Sequence, residues 1–351
     1  MHTCSNRIAT HATVGEQLKG CCGSQTSGKK SVSKTTRPTR ERKLELAARA
    51  AWLYYVADND QSEIADKLQI SRHATQRLVA LAVREKLIKF RIEHNSAKCI
   101  DLAEELREKF ALTFSDVAPH HPSLADSELA IAGLAAAKIE DLLTSKSPVT
   151  ISIGTGRTLR AAVDEVGSLD RPHHKIVSMA GNVTQDGRVS GYDVAMRLAD
   201  RIGAQCYPLL APVLANSAEE RDLLRSQRAF QTAHDLVRES KVSFLGLGEV
   251  GSQAPLYKDR FVTRGELDEL ISSGIVGEII GWAFNAEGAI CPEGTNARVA
   301  SIPLEVPPKR LTIAVARGSA KHEAIAAALR GGLINGIITD EDTARVLLQA
   351  K

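Results

Sequence analysis

Asp60-Gln-Ser-Glu-Ile-Ala-Asp-Lys-Leu-Gln-Ile-Ser-Arg-His-Ala-Thr-Gln-Arg-Leu-Val79 reads as two short helices joined by a tight turn. Ile64, Ala65 and Leu68 fall on one side of the first helix, Ile70 lies in the turn, and Leu78 with Leu81 faces inward from the second. Asp60 has an N-cap side chain with Glu63 three residues on, the spacing of a capping box, and Ser71 stands where it caps the second helix. Arg72, His73, Thr75, Gln76 and Arg77 are then expected to project outward. Arg and Gln suit bidentate contacts to guanine and adenine edges in a major groove, so the pattern is that of a helix-turn-helix DNA reader. An ordinary amphipathic helix pair gives a similar pattern. Two residues depart from the common form: Gln69 holds the turn position where glycine is more usual, and Thr75 replaces a bulky apolar residue.

The flanks extend this unit. Leu44, Ala47, Ala48, Ala51, Trp52 and Tyr55 recur at helical spacing, which predicts a preceding helix that covers the pair. Trp52 and Tyr54-Tyr55 read as packing groups of that helix rather than base-stacking ones. Beyond it, Ile88, Phe90 and Ile92 alternate with Lys89, Arg91 and Glu93, the period of a strand. A wing is therefore expected, with Lys89 and Arg91 facing phosphates. Upstream, residues 1–40 are rich in Ser, Thr, Gly, Lys and Arg without apolar period, and read as a disordered basic arm. Such an arm can track a nucleic acid or be a solvated tail.

Charge points to the same segment. Residues 1–98 hold 18 Lys and Arg against 9 Asp and Glu, whereas residues 99–351 hold 27 against 33. The N-terminal part, at +9, favours a polyanion through counterion release; the remainder, at −6, repels one. With 43% hydrophobic and 25% charged residues in 351, a soluble protein of two or three domains is expected. No stretch has the apolar length of a membrane helix, which predicts a cytoplasmic protein with no membrane partner. Six cysteines, mostly far apart except Cys21-Cys22 and without a CxxC pair, predict reduced thiols and no metal site.

From residue 101 a charged connecting helix is expected, in a linker spanning 99–120, and from 121 onward strands and helices alternate. The strands are read at Val149–Ile153, Lys175–Met179, Gln205–Leu209, Val242–Gly248, Arg310–Val315 and Ile334–Ile338. The helices are read at Glu128–Leu143, Gly191–Ile202, Ala218–Glu239, Ser319–Leu329 and from Asp340. This alternation predicts a mostly parallel sheet covered on both faces. The fold class is multidomain, α followed by α/β: an arm at 1–40, a winged helix-turn-helix at 41–98, and an effector domain at 121–351.

Ligand chemistry is expected beyond the strand C-termini. Gly154-Thr-Gly-Arg-Thr158 follows one strand directly and opens a helix; its glycines allow close backbone approach, and Thr155 and Thr158 add hydroxyl donors. A tight structural turn accounts for the glycines equally well. The loop lacks the ending of a P-loop, and Leu159 takes the third-glycine position of a dinucleotide fingerprint. Ala180-Gly-Asn182, Gly246-Leu-Gly-Glu249 and Gly318-Ser-Ala-Lys321 are expected at the same end. A lysine in a helix's first turn, here capped by Ser319, opposes the macrodipole unless an anion sits beside it.

Together these motifs resemble the SorC family of bacterial sugar-responsive transcriptional regulators. The resemblance is carried by the helix-turn-helix with its Tyr-Tyr-Val approach helix, the Gly-Thr-Gly loop, Gly277-Glu-Ile-Ile-Gly281, and the block from Lys321-His-Glu-Ala to Asp-Glu-Asp-Thr-Ala344. It implies a winged helix-turn-helix joined to a domain related to sugar-phosphate isomerases. It also implies double-stranded operator DNA as partner, a sugar, polyol or sugar-phosphate effector, no cofactor, and a homo-oligomer, dimer or tetramer. By position, Gly154, Thr155, Gly156, Arg157 and Thr158 match the family's phosphate or hydroxyl loop and Lys321 its anion-binding lysine. Asn285 stands where members often carry an acid, and Asn182, Gly248 and Glu249 complete the expected effector contacts. The rival is an isomerase or deaminase with a fused DNA-binding module, in which Glu249 or Glu278 would supply the base.

Overall fold

The computed structural model describes residues 40–350 apart from 86, 89–96, 122, 182, 185–187 and 189–193, with the side chain of Leu124 also left out. The chain divides into two units between Ile88 and Lys89.

In the first unit, α1 spans Arg40–Tyr55, α2 Gln61–Leu68 and α3 Arg72–Arg84. The capping box forms: Asp60 Oδ1 accepts from Ser62 N at 2.7 Å and Glu63 N at 2.9 Å, while Asp60 N donates to Glu63 Oε2 at 2.9 Å. Ser71 Oγ caps α3 by accepting from Ala74 N at 3.2 Å. Gln69 ends α2 in the left-handed region, φ 53° and ψ 47°, the conformation that makes glycine the usual residue there. Ile64, Leu78, Val79, Leu81 and Ala82 close a core with Ala47, Ala50 and Ala51 of α1.

Two expectations are corrected here. The buried stripe of α1 runs through Ala47, Ala50 and Ala51, so Trp52 is 58% exposed and Tyr54 and Tyr55 also lie at the surface of the chain. Small alanines let α1 approach α3 closely, and the aromatic face is turned away from this core. Thr75 is fully buried, its Oγ1 directed to Ser71 O at 3.5 Å, and does not project outward. The expected wing lies outside the described residues, as do Lys89, Arg91 and the arm before Arg40.

The second unit begins with α4 (Ala97–Phe110), β1 (Phe114–Ala118) and α5 (Leu124–Leu143). Then come β2 (Thr150–Ile153), α6 (Arg157–Glu165), β3 (Lys175–Ser178), α7 (Val194–Ile202) and β4 (Gln205–Tyr207). Next are α8 (Ala218–Ser226), α9 (Arg228–Glu239), β5 (Val242–Leu245), β6 (Gly248–Glu249), α10 (Pro255–Lys258) and α11 (Arg264–Ser272). The chain finishes with β7 (Ile275–Ile279), β8 (Trp282–Asn285), β9 (Leu311–Val315), α12 (His322–Arg330), β10 (Gly336–Asp340) and α13 (Glu341–Gln349).

Seven strands form one parallel sheet in the order β1-β10-β9-β5-β2-β3-β4. Neighbouring residues serve opposite faces: Phe244, Ile313 and Ile338 join one core with α5, α6 and α7, while Leu245, Ala314 and Ile337 join the other with α4, α9, α12 and α13. Burial on both sides explains why these strands are continuous apolar runs. From β2 the chain proceeds outward through β3 and β4, then returns to β5 on the other side of β2. The C-terminal ends of β2 and β5 therefore flank the switch point, where ligands bind in open α/β sheets.

Several elements differ from expectation. The helix read as a connector packs into the second unit: Cys99, Ala103 and Leu106 are buried in its core, and Lys109 Nζ donates to Leu347 O and Leu348 O. The segment after it is strand β1, masked in the sequence by Ser115 and Asp116. Gln227, in extended backbone, breaks Ala218–Glu239 into two helices. A separate antiparallel sheet, β6-β7-β8, was not foreseen. Its β7–β8 hairpin turns on Ile280 and Gly281, both at positive φ (48° and 91°), which matches the strand twist of a two-residue hairpin.

Candidate functional site

At the switch point lies a cleft of about 220 Å³, lined by residues from the ends of β2, β5 and β9 and from the β7–β8 hairpin. That is below the roughly 300–1,000 Å³ of pockets for drug-sized ligands, so it suits a small molecule. Two loops cross at its floor. Gly154 N donates to Phe244 O at 2.8 Å, and a Cβ on Gly246 would stand 2.5 Å from Thr155 O. Only glycine at 246 allows that crossing. α6 begins without a side-chain cap at Gly156, so its first N–H groups remain available to an oxygen ligand.

Lys321 reaches this floor from the turn after β9. Its Nζ donates to Leu247 O at 2.7 Å and stands 3.9 Å from Glu249 Oε2, which is buried and makes no hydrogen bond among the described residues. Residues Ser319–Lys321 form a 3-10 turn with Gly318 at the cap position and no side-chain cap, so Ser319 does not cap as expected; α12 starts at His322. Burial lowers the Lys321 pKa, the carboxylates of Glu249 and Glu278 oppose that shift, and Arg157 adds to it. Glu278, on β7, accepts from Gly281 N through Oε2 at 2.8 Å, and its Oε1 lies over Gly248, where a Cβ would approach to 2.3 Å. Burial pushes Glu278 above the ordinary carboxylate range, partly offset by the Gly281 hydrogen bond and Lys321. Arg317 also lines the cleft and is paired with buried Asp340 at 2.9 Å.

Thr155, Gly156, Arg157, Thr158, Gly248 and Lys321 thus meet in one cleft, with Gly154 buried behind the loop and Glu249 against the ammonium. Asn285 does not join them. Its Oδ1 accepts from Glu287 N at 3.1 Å and Ala289 N at 2.9 Å, so the amide holds its own turn. Asn182 lies outside the described residues. Sequence reasoning reached Glu278 only as a candidate base of the rival enzyme reading, not as an effector contact, and missed Glu128, Asp259 and Arg317. The pairing of Gly248 with Glu278 across β6 and β7 brings that carboxylate in, and no local pattern signals it.

On the first unit, Arg72, His73, Gln76 and Arg77 are exposed along α3. Among the described residues no helix is long and apolar enough to cross a membrane, and no group of three or more His, Cys, Asp or Glu could hold a metal ion.

Residues 94–349 match the family described as "Putative sugar-binding domain". Over 303 residues, the chain is 33% identical to the erythritol catabolism regulatory protein EryD of Brucella abortus (strain 2308), covering 86% of this chain and 96% of that one. The chain belongs to the SorC family of sugar-binding transcriptional regulators. The transcriptional regulator LsrR of Escherichia coli (strain K12) is 28% identical over 317 residues, covering 87% and 95% of the two chains. In fold, this SorC-family chain is similar to the full-length sorbitol operon regulator SorC from Klebsiella pneumoniae, with a TM-score of 0.63 at 23% identity across 87% of this chain and 99% of that one.

Proposed function

We propose that this SorC-family regulator controls a carbohydrate or polyol catabolic operon by binding operator DNA through α2 and α3, under control of a small polyhydroxylated effector. The convergence of the Gly154–Thr158 loop, Gly246 and Lys321 on one cleft at the switch point carries the effector half of this reading. The polyol in the name of the relative EryD supports the same ligand class. For the DNA half, α2, the Gln69 turn and α3 form a helix-turn-helix. Arg72, His73, Gln76 and Arg77 contact bases or phosphates. The regulator works as a dimer or tetramer in the cytoplasm, and the effector shifts populations between DNA-binding and released states rather than undergoing a chemical step.

Electrophoretic mobility shift with the full-length protein on its own upstream DNA tests this. Binding should be sequence-selective, weaken steeply with salt, and change when a sugar, polyol or sugar phosphate is added. Turnover of a sugar phosphate, or absence of selective DNA binding, overturns it.

A further inference from the structure

The identity of the groups facing the cleft narrows the effector further, given that the cleft is the effector site. Arg317 is neutralised by Asp340. Lys321 is likewise paired with Glu249, which leaves Arg157 against Glu128, Asp259 and Glu278, one positive charge against three negative. The helix N-terminus of α6 adds only about half a positive charge. Even with Glu278 protonated the balance stays negative. Lys321, the group that would meet an anion, already donates to Leu247 O and faces Glu249.

Hydrogen-bonding capacity points the same way. The first turn of α6 and the Thr155 and Thr158 hydroxyls can donate to any oxygen ligand. Across from them, the Glu278 carboxylate accepts from Gly281 N and retains further lone pairs. A phosphate dianion carries acceptors only, so it satisfies the first set and repels the second. A hydroxyl is both acceptor and donor, and satisfies both.

We infer that the cleft takes an uncharged polyol or open-chain sugar rather than a phosphate ester, and that Glu278 is the specificity-determining residue, accepting hydroxyl hydrogens and excluding phosphate. Glu278 holds this position because Gly248, its partner across β6 and β7, leaves room for its side chain.

The test is calorimetry and thermal shift on the full-length protein with erythritol, ribitol and sorbitol, their monophosphate esters, and inorganic phosphate. At least one uncharged polyol should bind tenfold or more tightly than its own phosphate ester, and inorganic phosphate should give no shift. E278Q should weaken that polyol about tenfold and narrow or reverse the preference over the ester. An ester that binds the parent protein more tightly than its polyol overturns the inference while leaving the cleft as the effector site. Failure of all probes to bind overturns the effector site itself. A polyol preference that E278Q leaves untouched removes Glu278 from the role.

Discussion

Gly246→Ala places the whole cost of one methyl group on the crossing of two loops. The added Cβ would lie 2.5 Å from Thr155 O and 3.9 Å from Gly156 Cα, both backbone atoms that no rotamer change can move. Either the end of β5 or the Gly154–Thr158 loop must shift, an overpacking cost of about 1–3 kcal/mol. Gly251→Ala is the control: nothing lies within 4 Å of its added Cβ and its φ is not positive, so it should stabilise by about 0.4–1 kcal/mol through the unfolded chain. The two variants should then differ by roughly 1.4–4 kcal/mol, at about 2–4 °C of Tm per kcal/mol for units of this size. Urea and thermal denaturation measure the stability difference, and calorimetry with whichever polyol binds the parent measures the site. Gly246→Ala should also weaken that binding at least tenfold, because Thr155 and the first turn of α6 move with the loop, while Gly251→Ala leaves it unchanged. Equal stability of the two variants, or unaltered binding in Gly246→Ala, would refute the crossing as the element that shapes the cleft.

Gln69→Gly should raise the stability of the first unit by about 1 kcal/mol, since the left-handed conformation strains a side-chain residue by roughly 1–2 kcal/mol and glycine returns part of that as unfolded-state entropy; a lower urea midpoint would count against it. Thr75→Val should leave operator discrimination unchanged because the side chain is buried, whereas Gln76→Ala and Arg77→Ala should each cost about 1–3 kcal/mol of discrimination between operator and random DNA. Competition binding separates these, and a uniform loss on both DNAs would make Gln76 and Arg77 phosphate contacts. Glu278→Gln should stabilise the protein near neutral pH and not in acid. The fold raises this carboxyl's pKa, so the stability its proton provides is present below the unfolded value of about 4.3 and is lost as pH rises through the raised one; glutamine, which mimics the protonated form, keeps it. Denaturation of both proteins at acid and neutral pH checks the sign, and a larger gain in acid would contradict it.

What was legible in the sequence was local. The Asp60–Glu63 box, the Ser71 cap and the strand–loop–helix run into Gly154–Thr158 each depend on residues within a few positions, and each forms as the spacing implies. Helical phase was less secure. Trp52 turns outward because the buried stripe of α1 runs through Ala47, Ala50 and Ala51, and Thr75 turns inward because it lies one helical turn before buried Leu78. Contacts set by strand register were not legible. Glu278 enters the cleft only through its pairing with Gly248, thirty positions away. Asn285 offered a suitable amide, yet its oxygen is committed to the backbone N–H groups of its own turn, a demand that residue type alone does not reveal.

Lys321 shows why a motif does not settle the charge of a ligand. A lysine at the start of a helix opposes the macrodipole, and a bound anion is the simplest remedy. Here the remedy is internal. The ammonium lies back on Leu247 O and Glu249, and the Glu278 carboxylate adds to the field that keeps it charged. A phosphate entering this cleft would have to displace a carboxylate already serving as counterion, and would stand beside a second one that cannot leave β7. Its gain from Lys321 is then only the difference between two anionic partners, while the repulsion from Glu278 is new. An uncharged polyol meets neither cost, since it can bond the α6 N–H groups and Glu278 without disturbing the Lys321–Glu249 pair. On the proposed reading, the glycine loop and the lysine mark the place of the ligand, and the carboxylates around them decide its charge.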